Sequence, residues 1–262
     1  STAMTALRSH LLACAGLALV TVITYHSVLL PPKPVIANDA PLTSELIRER
    51  GVNDGKDAVW KAVGYLGLKG GARMHHTWLS RLGHTILRPG DIKTLFPARY
   101  ANTIAFPLCT FLVGLGMYLL LVTLGLSPLA AFTGGCALML SGHFITCVYS
   151  GHTGKFYMLF HLSFCLWLLT YAIRTRSLIA FAWAGIFGGM GLRSQLDVGV
   201  IIALFFLAWT VFLIWHTRAR ARWLKLAGGI LLAGALGIAF SASTIYSLAG
   251  LASSSEGASG LA

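Results

Sequence analysis

Long apolar runs constrain this chain more than any other feature of its sequence. A helix needs about 20 mostly apolar residues to cross the hydrocarbon core of a bilayer, and runs of about that length recur along most of the chain. Only 11% of the residues are charged, against roughly 25% in a soluble domain. The runs are continuous rather than alternating, which is typical of helical spans and not of β-barrel strands. The sequence therefore predicts an all-α, polytopic transmembrane helical bundle.

We expect about seven spans. They cover residues 11–30, 104–126, 129–149, 156–173, 178–192, 198–215 and 226–251. The remaining parts are a short N-terminus (1–10), a long polar loop (31–103) before the six-span bundle (104–251), and a flexible Ser/Gly/Ala-rich tail (252–262). A signal peptide is the alternative for the first run. That run exceeds the ~7–15 apolar residues of a signal core and lacks a convincing small-residue cleavage site.

The long first loop is charged but also amphipathic. It holds 11 of the 20 basic residues and 6 of the 8 acidic ones. In residues 57–68, Val59, Val63 and Leu66 share one side of a helix and Lys61 lies on the other. Residues 78–87 form a second amphipathic piece, and such helices tend to lie in the plane of the membrane interface. We therefore expect interfacial helices in this loop rather than a separate globular domain.

Basic residues predict the orientation of the chain. Arg174 and Arg176 follow the fourth span, and residues 218–225 after the sixth span contain four more basic side chains. Short cytoplasmic loops are rich in Lys and Arg, so these connections are predicted to be cytoplasmic. The N-terminus is then inside and the long loop outside. Part of the net charge of +12 comes from the basic residues of these cytoplasmic connections. The basic residues of the long loop indicate that it binds anionic headgroups or a phosphorylated ligand rather than nucleic acid.

A short polar turn separates the third and fourth spans. It reads Ser150-Gly151-His152-Thr153-Gly154-Lys155. Gly151 and Gly154 allow backbone N–H groups to face a ligand, and the turn opens a helix whose N-terminus favours an anion. With His152 and Lys155 it is a candidate phosphate-binding site, although the spacing is not that of a P-loop. The alternative for Lys155 is a lysine that snorkels to the interface.

Further polar positions fall on the same predicted face. Arg193, Gln195 and Asp197 interrupt the apolar sequence between the fifth and sixth spans. Arg193 is a candidate second phosphate-binding cation, oriented by Gln195 or Asp197. A local ion pair between Arg193 and Asp197, four residues apart, is the alternative. Asp39, just beyond the first span, is a candidate general base, and an N-cap or turn residue is its alternative.

The histidines and cysteines give weaker indications. His143 and His161 lie in predicted spans and recur with His152 every nine residues. A bis-histidine haem site is conceivable but not favoured, because the pattern crosses a turn. The three histidines in residues 75–84 are interpreted as a solvated interfacial cluster rather than a metal site. The five cysteines form no CxxC pair and are interpreted as small buried apolar side chains: Cys14, Cys109, Cys136, Cys147 and Cys165.

One further motif lies at the junction of the second and third spans, and together with the polar turn it gives the chain a recognisable order of motifs. Residues 124–128 read Leu-Gly-Leu-Ser-Pro and precede the third span, and the Gly151, His152 and Lys155 turn follows it. This order resembles the N-terminal part of the YfhO-like bacterial membrane proteins, which are similar to the GT-C class of lipid-dependent glycosyltransferases. That family has an AGH-x-x-K turn, an LG-hydrophobic-SP turn and an early Asp, matched here by Asp39. The resemblance covers about residues 11–200 of a chain that is shorter than typical members.

The resemblance implies a membrane glycosyltransferase that takes a sugar from a polyprenyl-phosphate donor at the extracytoplasmic face of the bacterial inner membrane. In this role Asp39 would deprotonate the acceptor, while Lys155, Arg193 and His152 would hold the leaving phosphate. A divalent metal is compatible with this chemistry, but the sequence offers no convincing ligand set and identifies no cofactor. The expected partners are membrane lipids and the polyprenyl-phosphate sugar, and no nucleic acid.

A different class of function is the alternative. The small residues of the last span suit close helix packing, which favours a non-catalytic structural or cofactor-holding subunit of a bacterial membrane complex. Gly228, Gly229, Gly234 and Gly237 carry this indication. A transporter is the weakest alternative, because no internal repeat is evident.

Overall fold

The computed structural model describes residues 2–31, 101–142, 146, 153–194, 196–216 and 223–259. Within these ranges the chain forms seven α-helices and no strand, so the predicted all-α class is confirmed for them. The helices are α1 (Thr2–Leu29), α2 (Ala101–Thr123), α3 (Pro128–Met139), α4 (Thr153–Thr175), α5 (Leu178–Ser194), α6 (Leu196–His216) and α7 (Trp223–Ser259). The predicted interfacial helices of the first loop lie outside the described residues.

In the described part of the chain, four segments are long and apolar enough to cross a bilayer. They are Leu7–Leu29, Thr103–Thr123, Lys155–Thr175 and Trp223–Ala242. Three shorter apolar helices accompany them: Pro128–Met139, Leu178–Ser194 and Ile201–His216. These helices indicate a membrane protein, because many of their large apolar side chains are exposed. A soluble protein rarely exposes so much apolar surface to water. The expectation of about seven spans stays a prediction.

Two helix ends differ from the sequence-based boundaries. The third helix ends at Met139, and Leu140 has a non-helical backbone, so the expected continuous span over 129–149 is broken there. Ser141 follows at once and is not helical, and serine favours non-helical backbone more than the apolar residues around it. At the other end of the chain, α7 continues through Ser259. Part of the segment expected to be a flexible tail is therefore helical.

The predicted turn between the second and third spans is present. The structure ends α2 at Thr123 and begins α3 at Pro128. Gly125 has φ of 97°, a left-handed conformation that glycine adopts without steric cost. Ser127 is the N-cap of α3 and accepts a hydrogen bond from the Ala130 N–H at 3.3 Å. Pro128 occupies the first helical position, where its missing N–H costs nothing.

The directions of the helices follow from contacts between them. His10 Nδ1 lies 2.6 Å from the Tyr118 hydroxyl, and the Tyr25 and Thr110 hydroxyls lie 2.9 Å apart. Increasing position in α1 therefore pairs with decreasing position in α2, and these two helices are antiparallel. Helices α2 and α4 are parallel instead. Their first halves meet through the rings of Phe106 and Phe156, with centroids 5.2 Å apart, and their last turns meet at Thr123.

Two ends of the bundle can now be defined. The Arg174 end contains the N-terminal part of α1, the ends of α2 and α4, and the start of α5. The Lys155 end contains the end of α1, the starts of α2 and α4, and the end of α5. A buried cluster closes the Arg174 end by packing α4, α5, α6 and α7 together, and it includes Ile173, Phe181, Leu213 and Leu226.

Helices α5 and α7 approach closely and run parallel. A Cβ atom added at Gly185 would lie 2.8 Å from the Ala233 Cα, and one added at Gly189 would lie 2.8 Å from the Phe240 Cβ. One turn before Gly185, the Phe181 ring covers Gly229. Small residues at such contacts let helix backbones pack tightly in lipid, where packing rather than water exclusion drives association. The α5–α7 contact is therefore set by glycine.

We predict that Gly189→Ala destabilises the protein while Gly234→Ala does not. Gly189 has no room for a methyl group, whereas nothing lies within 4 Å of the Cβ position at Gly234. Overpacking of this kind costs about 1–3 kcal/mol. Thermal unfolding of the two purified variants in the same detergent would measure the difference. Equal unfolding temperatures would contradict the close α5–α7 contact.

Candidate functional site

Lys155 lies in the first turn of α4. The helix begins at Thr153, so Thr153, Gly154 and Lys155 belong to its first turn rather than to a loop that precedes it. Lys155 is half-buried. The first turn of a helix carries unpaired backbone N–H groups and the positive end of the helix dipole. Lys155 therefore adds a cation to a position that already favours an anion.

Arg193 lies in the last turn of α5 and is buried, with 8% of its surface exposed. Arginine is costly within a membrane bundle unless polar groups surround it. A snorkelling arginine would extend outward into the headgroup region, whereas Arg193 remains inside the bundle. Arg193 differs in this respect from Arg174, a basic residue whose side chain is exposed.

The contact between α4 and α5 brings these two cations to the same end of the bundle. A Cβ atom added at Gly191 would lie 3.4 Å from the His161 Cβ and 3.2 Å from the Leu162 Cδ2. The last turn of α5 thus lies beside the first half of α4. Lys155 precedes His161 by fewer than two helical turns, about 9 Å along the axis. Arg193 therefore lies at the same end of the bundle as Lys155.

The other predicted site residues are only partly described. Asp39, Gly151, His152 and Gln195 lie outside the described residues. Asp197 falls in the first turn of α6, where the backbone is described. Because α5 ends at Ser194 and α6 begins at Leu196, Arg193 and Asp197 belong to different helices. The alternative of a local ion pair between Arg193 and Asp197 stays a prediction.

His161 has the surroundings of a core side chain. It is fully buried, and its Nδ1 lies 2.6 Å from the Tyr157 carbonyl oxygen. Its ring centroid lies 4.6 Å from that of Phe160 and 6.0 Å from that of Phe187. These contacts hold the ring in the α4–α5 interface. They give no support to haem ligation by His161.

No metal site is found in the described ranges. Among these residues, no three His, Cys, Asp or Glu side chains come together in a way that could hold a metal ion. The cysteines described there are free thiols and are buried or half-buried, as the sequence suggested: Cys14, Cys109, Cys136 and Cys165.

Sequence inspection missed a set of hydrogen bonds between helices. Trp167 donates from Nε1 to the Thr123 hydroxyl at 3.1 Å, and Trp209 donates to the Thr170 hydroxyl at 3.0 Å. Arg174 donates to the Thr123 carbonyl oxygen at the end of α2. A Trp or Thr within an apolar span is the signal for such a bond, but the sequence does not show which pairs meet. These bonds fix α4 against α2 and α6, and α4 carries Lys155.

Comparison of the chain with family models, with curated proteins and with solved structures finds no match. The resemblance to YfhO-like proteins therefore rests on the motifs of the sequence.

We predict that Thr123→Val weakens the α2–α4 contact and that Thr133→Val leaves stability nearly unchanged. Thr123 accepts the Trp167 hydrogen bond, whereas exposed Thr133 donates to the Leu129 carbonyl oxygen of its own helix. Hydrogen bonds between membrane helices contribute about 0.6 kcal/mol on average and up to about 1.7 kcal/mol. Unfolding free energies in detergent, with Trp167→Phe to close a double-mutant cycle, would measure the coupling. A coupling of zero would show that the bond contributes nothing.

Proposed function

We propose that this chain is a membrane protein of the GT-C-like, lipid-dependent glycosyltransferase type. It transfers a sugar from a polyprenyl-phosphate donor, and the lipid phosphate binds at the Lys155 end. The observation that carries the proposal is the burial of Arg193 at the same end of the bundle as Lys155. Two cations at one end of a helix pair suit a phosphate group. The sequence motif around Gly151, His152 and Lys155 supports the same assignment.

The proposed chemistry assigns a role to each residue. The acceptor hydroxyl attacks the anomeric carbon of the sugar, and Asp39 takes the hydroxyl proton as general base. A glycosidic bond forms to the acceptor oxygen while the bond from the anomeric carbon to the donor phosphate oxygen breaks. The electron pair of that bond leaves with the lipid phosphate, whose charge is stabilised by Lys155, Arg193 and His152.

The proposed orientation places the Lys155 end outside the cell. The connection between α4 and α5 at the Arg174 end is basic. The sequence between α6 and α7, residues 217–222, contains three more arginines. The positive-inside rule then favours a cytoplasmic Arg174 end and a cytoplasmic N-terminus. This arrangement suits the bacterial inner membrane, where polyprenyl-phosphate sugars are used at the outer face.

The structural-subunit alternative has less support. Its main indication was the small residues of the last span, and the structure uses two of them within the chain. Gly229 is covered by Phe181 of α5, and Gly237 faces the Gly185 carbonyl oxygen, 3.5 Å from an added Cβ. Close packing inside this chain therefore explains these glycines without a partner subunit.

Binding of polyprenyl phosphate to the purified chain tests the proposal. A hydrogen bond to a charged group contributes about 1.5–3 kcal/mol, so Lys155→Ala should weaken binding by about 10- to 100-fold. Native mass spectrometry in detergent can measure the affinity. Arg8→Ala is the control, because Arg8 is an exposed cation at the opposite end.

A second variant addresses the buried arginine. Arg193→Lys keeps the charge but loses the planar fork that matches phosphate, and it should also weaken binding. Its unfolding temperature shows whether the variant remains folded. Unchanged affinity in both Lys155→Ala and folded Arg193→Lys would rule out the proposed site.

A further inference from the structure

The geometry points to a second lipid contact, at the Arg174 end: we propose that Arg176 and Lys225 bind the phosphate headgroup of an anionic phospholipid. This contact is separate from the proposed transferase site, because it lies at the opposite end of the bundle. It also holds for either orientation of the chain in the membrane.

The parallel register of α5 and α7 brings the two cations together. Phe181 lies over Gly229, Gly185 packs against Ala233, and Gly189 packs against Gly237. The spacing is the same at each of these three successive turns. One turn further toward the Arg174 end, the same register sets Ser177 opposite Lys225. Arg176 is the residue before Ser177, so both cations lie at the same level of the bundle.

The backbone fixes the position of Arg176. It has φ of 58°, in the left-handed region, and it forms the turn between α4 and α5. Ser177 caps α5 beside it by accepting a hydrogen bond from the Ala180 N–H at 3.3 Å. On the other side, Arg174 donates to the Thr123 carbonyl oxygen at the end of α2. The backbone of the turn is therefore held from both sides, which fixes where the Arg176 side chain begins.

Exposed aromatic residues place this level at the membrane interface. Trp223 is 64% exposed and Trp215 is 83% exposed, and both lie close to the Arg174 end, at the start of α7 and the end of α6. Tryptophan is enriched at the headgroup level of membranes. Further into the bilayer along α5 and α7, exposed apolar side chains such as Ile179 and Leu231 continue toward the lipid tails. A phospholipid can therefore place its tails along α5 and α7 and its phosphate beside Arg176 and Lys225.

The charge at this end favours an anionic lipid over a zwitterionic one. Among the described residues of the Arg174 end, Arg8, Arg174, Arg176 and Lys225 are basic and none is acidic. An anionic surface attracts each nearby Lys or Arg by about 1 kcal/mol. Lys225 is exposed and Arg176 is half-buried, so both are accessible to a headgroup.

Binding of phosphatidylglycerol tests this contact. The purified full chain is titrated with phosphatidylglycerol or with phosphatidylcholine in detergent, and bound lipid is counted by native mass spectrometry. We expect clear preference for phosphatidylglycerol. The double variant Arg176→Gln/Lys225→Gln should lose about 25-fold in affinity, from about fivefold for each charge. Arg8 lies at the same end, but its helix α1 packs mainly against α2 and α3 rather than beside α5 and α7, so Arg8→Gln should change the affinity less than twofold.

Conservative exchange separates binding from folding. Arg176→Lys/Lys225→Arg keeps both charges and should bind phosphatidylglycerol within about threefold of the unmodified chain. Inorganic phosphate at millimolar concentration should not displace the lipid, because it has no tails to hold. The proposal is overturned by equal binding of the two lipids, by an Arg8→Gln loss as large as that of the double variant, or by displacement with inorganic phosphate.

Discussion

The whole arrangement depends on how apolar helices associate when water does not drive them together. In a bilayer, lipid tails cover an apolar surface as well as another helix does, so association requires close packing and hydrogen bonds between helices. This chain uses both. Gly185 and Gly189 let α5 approach α7, while Thr123 and Thr170 accept hydrogen bonds from tryptophans of neighbouring helices. Without these specific contacts, the helices would have no preferred neighbours.

The same contacts determine where the candidate site lies. Helix α4 is held by α2 through Thr123 at one end and through the Phe106 and Phe156 rings at the other. Gly191 lets α5 lie against His161 and Leu162 of α4. As a result, the first turn of α4 and the last turn of α5 meet the same side of the bundle. Lys155 and Arg193 share that side because the scaffold fixes the direction of each helix.

Much of the fold could be predicted from the sequence, because the length of an apolar run determines whether a helix can span a bilayer. The end of α3 at Met139 is not predicted, because the apolar residues that resume at Phe144 make residues 129–149 resemble one continuous span. The choice of neighbours could not be predicted either. Helices that are apolar on every side carry little information about which face packs, so the parallel pairing of α5 with α7 follows only from the structure.

The candidate site, too, could be predicted from the sequence only in part. Counting spans places Lys155 and Arg193 on one face of the membrane, but it does not show that Arg193 is buried or that the Lys155 turn is already helical. The structure assigns Arg193 and Asp197 to different helices, and a local ion pair between them stays a prediction.

The most direct test of the central claim is a distance from the phosphorus of bound polyprenyl phosphate to nitrogen atoms of the protein. Solid-state NMR of the chain in lipid bilayers, with ¹⁵N-labelled lysine and arginine, can measure it. The account predicts that the side-chain nitrogens of both Lys155 and Arg193 lie within about 4 Å of the phosphorus, as in a charge-assisted hydrogen bond. A bound phosphate distant from both nitrogens would contradict the account.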